Sequence, residues 1–118
     1  MPTPTPEKIV NLNAETLGAS MLDAALGVFK KQTPELKAYA DGEFRKIGQA
    51  IVTIGTMAVA GTISAEEARL HLQMQAAASR TVLMTMEGLG LLEAEAAINA
   101  GLDAIRTTVN AALPFNLL

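Results

Sequence analysis

The sequence predicts an all-α protein: an antiparallel bundle of three long helices or four shorter ones. Three observations carry that expectation. Half of the 118 residues are hydrophobic, and 21 of these are alanine, the strongest helix former. Apolar residues recur at spacings of three and four over long stretches, the period of a helix face. Helix-start signals stand in front of those stretches.

Residues 1–12, MPTPTPEKIVNL, read as an extended arm, because alternating proline and threonine suits polyproline conformation and not a helix. Lys8 and the short apolar run after it do not make a signal peptide. The first helix is expected from about Ala14 to Lys31. Asn11 and Asn13 can each cap it, Glu15 suits its positive end, and Lys30 and Lys31 suit its negative end. Leu17, Met21, Ala24 and Val28 form its stripe, with Leu22, Leu26 and Phe29 alongside.

Thr33-Pro34-Glu35 starts the second helix: threonine caps, proline is pre-shaped for the first helical position, and glutamate suits the first turn. Its face is Leu36, Ala40, Phe44, Ile47, Ile51, Ile54 and Ala58, with Gly61 as the stop. Ser64-Ala65-Glu66-Glu67 is a capping box and begins the third helix after a tight turn. One face of this helix carries Ala68, Leu72, Ala76, Ser79, Leu83 and Met86. Leu70, Met74, Ala77 and Met84 widen its apolar surface.

At Gly88-Leu89-Gly90 the stripe changes phase, from Met86 to Leu91, a step of five. Two glycines cost a helix about 1 kcal/mol each. The segment is therefore a turn before a fourth helix over 91–112, or a kink in one long helix. Leu91, Ala94, Ile98, Leu102, Ile105 and Val109 make the last stripe, and Pro114 ends it. The helical domain is thus expected over 13–113, with an apolar tail over 114–118.

Composition excludes much chemistry. Without cysteine there is no disulfide framework, iron–sulfur site or thiolate zinc site. A net charge of −3 disfavours nucleic acid, which needs a basic face. The one histidine, His71, stands four residues after Glu67, whereas a di-iron bundle needs two Glu-x-x-His motifs. Gly88-Leu89-Gly90 lacks the third glycine and the preceding strand of a dinucleotide loop. No serine stands in an elbow motif. Glu93 and Glu95 point to different faces of a helix, and Arg80 needs an acid, either Glu87 or one on another helix. No catalytic residue, cofactor, metal site or small-molecule substrate is expected, and the chain reads as a non-enzyme.

The charge content points to partners. Lys, Arg, Asp and Glu make up 18% of the chain, against about 25% in soluble proteins. A compact chain of this size exposes about 6,000 Å², so its polar cover is thin. We therefore expect self-association: a structural subunit of a homo-oligomer or of a filament- or virion-type assembly, placed in the cytoplasm or in an assembled particle. The candidate contact is the last stripe and the tail: Leu91, Ile98, Leu102, Ile105, Val109, Leu113, Phe115, Leu117 and Leu118. The tail either folds back on its own bundle or meets a neighbour. Two alternatives stand beside this. One is a single-span membrane protein through the 19 uncharged residues from Ile47 to Ala65, although Gly61 and the Ser64 cap interrupt that window. The other is a bundle enclosing an apolar ligand between methionine-lined faces.

Overall fold

The computed structural model describes residues 12–86 and 89–118. The expected N-terminal arm, apart from Leu12, lies outside the described residues, as do Glu87 and Gly88 at the expected turn. Four helices form, and no strand occurs among the described residues: α1 (Ala14–Leu26), α2 (Pro34–Val59), α3 (Ala65–Met84) and α4 (Leu91–Ala112). The segment before Leu91 therefore divides two helices.

Local chemistry sets the starts. The Asn13 side chain accepts from the N–H groups of Glu15 and Thr16 at 2.8 and 3.1 Å. Thr33 Oγ1 accepts from Leu36 N–H at 3.1 Å, with Pro34 in the first turn of α2. At α3 the capping box closes in both directions: Glu67 N–H donates to Ser64 Oγ at 3.1 Å and Ser64 N–H donates to Glu67 Oε1 at 3.0 Å. Just before it, Gly61 turns the chain with φ +78°, a conformation that costs other residues. Gly90 caps α4 without a side-chain bond.

One boundary differs from expectation. α1 stops at Leu26 and does not reach Lys31. Tertiary contacts take its last turn. Phe29 enters the core, Gln32 Nε2 donates to Leu26 O at 2.6 Å, and the Lys30 N–H donates to Glu93 Oε1 on α4 at 2.8 Å.

The core sits between all four helices. Phe44, Met21, Ile47, Ile51, Leu83 and Val109 are its large, fully enclosed side chains. Helix backbones meet closely there. A Cβ on Gly48 would lie 2.6 Å from the Ala14 carbonyl oxygen, and one on Gly101 would lie 2.7 Å from the Phe44 ring. Only glycine permits these approaches. The contacts run in opposite order along neighbouring helices. Gly48 meets Ala14 while Gly18 meets Arg45; Arg80 meets Glu95 while Arg69 meets Asn116. α3 touches α2 and α4 and closes the remaining side.

Candidate functional site

The nine side chains expected to contact a neighbour are mostly consumed within the chain. Ile98, Ile105, Val109, Leu113 and Leu117 are buried in its own core, and Leu102, Phe115 and Leu118 pack against that core in part. Leu91 alone is exposed. The tail after Pro114 folds back on the bundle. Asn110 holds it: Oδ1 accepts from the N–H groups of Leu117 and Leu118 at 2.9 and 3.0 Å, and Nδ2 donates to Leu118 O at 3.1 Å. Arg69 completes the latch. Its Nε donates to Asn116 O at 2.8 Å, and its guanidinium lies 5.6 Å from the Phe115 ring centroid.

The acids of the last helix are likewise in structural use. Glu93 accepts from the Lys30 N–H, and Glu95 pairs with Arg80 Nη1 at 3.1 Å. Arg80 thus finds its acid on another helix. Among the described residues no group of three His, Cys, Asp or Glu is arranged to hold a metal ion. Among them, too, no helix is long and apolar enough to cross a membrane. The uncharged window from Ile47 to Ala65 is split between the end of α2, the Gly61 turn and the first residue of α3.

The open apolar surface lies elsewhere. Leu70 and Met74 on α3 are 57% and 62% exposed, and Met84 at its end is 40% exposed. Leu92, beside Leu91 at the start of α4, is 80% exposed. These are large side chains facing water at successive turns of one helix and at one corner.

Beside the α3 stripe runs a groove of about 590 Å³ between α2 and α3. Its α2 wall carries Lys46, Ala50, Thr53 and Met57. The α3 wall carries His71, Met74 and Ala78. Steps of four, three and four along α2 match steps from Glu67 to His71, Met74 and Ala78 along α3, so each set keeps one helix face. Lys46 stands level with Ala78 at one end, where its ammonium reaches the almost buried Glu43 at 3.0 Å. Glu67 stands beside the turn, outside the groove lining, in the Ser64 capping box. The Ser64 N–H holds its carboxyl below the ordinary value of 4.5. The Ser64 hydroxyl adds to this, slight burial opposes it, and nearby His71 contributes least. Glu67 is therefore ionised at neutral pH. The groove is mixed in character: apolar Ile54, Met57 and Met74 alternate with polar Gln49, His71 and Gln75, and the Lys46 ammonium stands at one end.

α3 is also loosely seated on its α4 side. Smaller clefts of about 420 and 240 Å³ lie there, both lined by Gln73, Ala76 and Leu102. Alanine at the contact leaves them unfilled.

Sequence reasoning placed Met74 on a widened apolar surface and His71 at a polar edge near Glu67 or Gln75, but did not join them to α2. The signal was present in the matched 4-3-4 spacing of the two stripes. Comparison with known proteins gives no matching family model, no matching curated protein and no matching solved structure.

Proposed function

We propose that this chain is an antiparallel four-helix bundle that serves as a non-enzymatic, self-associating subunit of a homo-oligomer or a larger, filament- or virion-type assembly in the cytoplasm or in a particle. One observation carries the reading: Leu70 and Met74 stand open on successive turns of α3 beside the α2–α3 groove, and Leu91 and Leu92 add open apolar surface at the start of α4. Scattered exposed hydrophobics are ordinary, whereas a line of them along one element marks a contact surface. Glu93 and Glu95 are held in structural contacts with the Lys30 N–H and Arg80. Light scattering over a range of protein concentrations tests the proposal. The expected result is a mass that rises to a multiple of 12.4 kDa. A mass of one chain at every concentration refutes it.

A second reading is favoured by the groove itself. A volume of about 590 Å³ falls within the range of small-molecule sites, so a bundle that binds an apolar ligand is the alternative. Native mass spectrometry of freshly purified protein separates the two, because the ligand reading requires a bound small molecule.

A further inference from the structure

We infer that residues 113–118 are a releasable strap. They fasten α3 to α4, and when they lift, the seam between those two helices opens while α1 and α2 stay closed. The inference does not depend on self-association.

The strap begins with a forced exit from α4. Proline keeps the residue before it out of helical dihedrals, and Leu113, before Pro114, is extended at φ −116° and ψ 155°. The chain leaves the helix sharply and returns along it. That brings Leu117 and Leu118 back to Asn110 in the last turn of α4.

Side chains of two helices then grip one backbone. Three hydrogen bonds from Asn110 hold Leu117 and Leu118 on the α4 side. On the α3 side, Arg69 holds the Asn116 carbonyl and covers the Phe115 ring. The strap is thus tied to one helix by an amide and to the other by a guanidinium, with its own Leu113 and Leu117 buried.

The seam between α3 and α4 has a use for such a tie. Where Gly48 of α2 meets Ala14, and where Gly101 of α4 meets Phe44, backbones approach so closely that a methyl group would not fit. Between α3 and α4 a direct polar contact is made by Arg80 and Glu95, at 3.1 Å. Arg69 lies eleven residues earlier in α3, about 17 Å away. Clefts of about 420 and 240 Å³ lie along this stretch. Asn116, Leu117 and Leu118 form one wall of the larger cleft, and Leu72, Ala76 and Leu102 belong to the others. Lifting the strap removes that wall. Loose packing and hydrogen bonds near the surface mark the parts of a protein that open below the cost of global unfolding. Both conditions hold at this seam.

Amide hydrogen exchange of the intact chain, at one dilute concentration, tests the strap. Asn110→Ala removes the α4 anchor without a helix-breaking residue. The Leu117 and Leu118 amides should then exchange at least ten-fold faster, and α3 amides from Leu72 to Ala78 should follow by a similar factor. Amides of α1 and α2 should stay within about two-fold. Arg69→Gln removes the α3 anchor instead. It should speed the same α3 amides while Leu117 and Leu118, still held by Asn110, change little. Freed Leu117 and Leu118 amides with unchanged exchange in α3 would overturn the inference, because the segment would then carry nothing between the helices. So would an equal rise in all four helices in either variant, since the chain would then open as one unit. Unchanged α3 exchange in Arg69→Gln would also overturn it.

Discussion

The two flanks of α2 are built on different rules. Toward α1 it presents Gly48, and the Ala14 backbone lies so close that a single methyl group would collide with it. Toward α3 it presents Lys46, Ala50, Thr53 and Met57 across an open groove. The first flank joins backbones and excludes water. The second leaves side chains half covered. Burial is the main source of helix stability in a protein; α3 gives Ala68, Leu72, Ser79 and Leu83 to the core on one face and leaves Leu70 and Met74 open on the other. That contrast separates what folds the chain from what would bind a neighbour.

The largest effect should come from the enclosed side. Phe44 is fully buried and touches the space that Gly101 leaves open. Phe44→Ala removes a whole ring, and a core change of this kind costs about 4 kcal/mol. Denaturant unfolding should show a matching fall in midpoint. A loss below about 1 kcal/mol would mean that the α1–α2–α4 interior is not close-packed.

The same contrast can be drawn with one substitution at two glycines. Gly48→Ala drives a methyl group to 2.6 Å from a backbone oxygen that no rotamer change can move. Overpacking against backbone costs about 2 kcal/mol. Gly42, six residues earlier in α2, has nothing within 4 Å of the added carbon, so alanine there gains about 1 kcal/mol from helix propensity. Thermal unfolding should shift down for the first and up for the second. Shifts of one sign would show that α1 does not lie against α2 as described.

Much of this arrangement was legible in the amino-acid order, because its causes are local. Asn13, Thr33 and Ser64 start helices by bonding to N–H groups two or three residues on, and such signals need no knowledge of the rest of the fold. The face of α2 was legible because its period stays in phase from Leu36 to Ile54. The end of α1 was not, since Phe29 and the Lys30 N–H answer to a core and to a glutamate 63 residues away. Nor was the choice between apolar faces. Periodicity says that α4 has a greasy stripe and that α3 has a wide one. It does not say that α1 and α3, with Phe44 of α2, cover the first, or that Asn110 and Arg69 fold the tail back onto it. Which face is left for a partner is decided by that three-dimensional competition.

At the turn between α2 and α3, Ser64→Ala should cost about 1 kcal/mol, the usual worth of a capping side chain. Its partner gives a pH signature. The Glu67 carboxyl titrates below 4.5 when folded and near 4.5 when unfolded. The unfolded chain therefore takes up the proton first as pH falls. The stabilisation from this carboxylate is complete above about pH 5 and drains away as pH drops through the folded value. Glu67→Gln keeps an acceptor for the Ser64 N–H but loses the ionisation, so its stability should change less between pH 5 and pH 3 than that of the parent. Parallel curves for the two proteins would deny the capping box its charge.

The smallest effect is expected two residues from a large one. Leu72 is 4% exposed and Leu70 is 57% exposed, on opposite faces of α3. Leu72→Ala should cost about 3 kcal/mol, because it opens a cavity against the core. Leu70→Ser should change the stability of the dilute single chain by no more than about 0.5 kcal/mol, since water already covers most of the side chain. The comparison sharpens when protein concentration is raised. A ligand that binds only the folded form adds stability by mass action, and a second copy is such a ligand. If the outer face of α3 meets a neighbour, Leu70→Ser becomes destabilising in concentrated protein while its dilute value stays near zero. The Leu72→Ala penalty belongs to the chain itself and is already present at high dilution. A Leu70→Ser effect that stays near zero across a hundred-fold range of concentration would mean that water is the only thing this face meets.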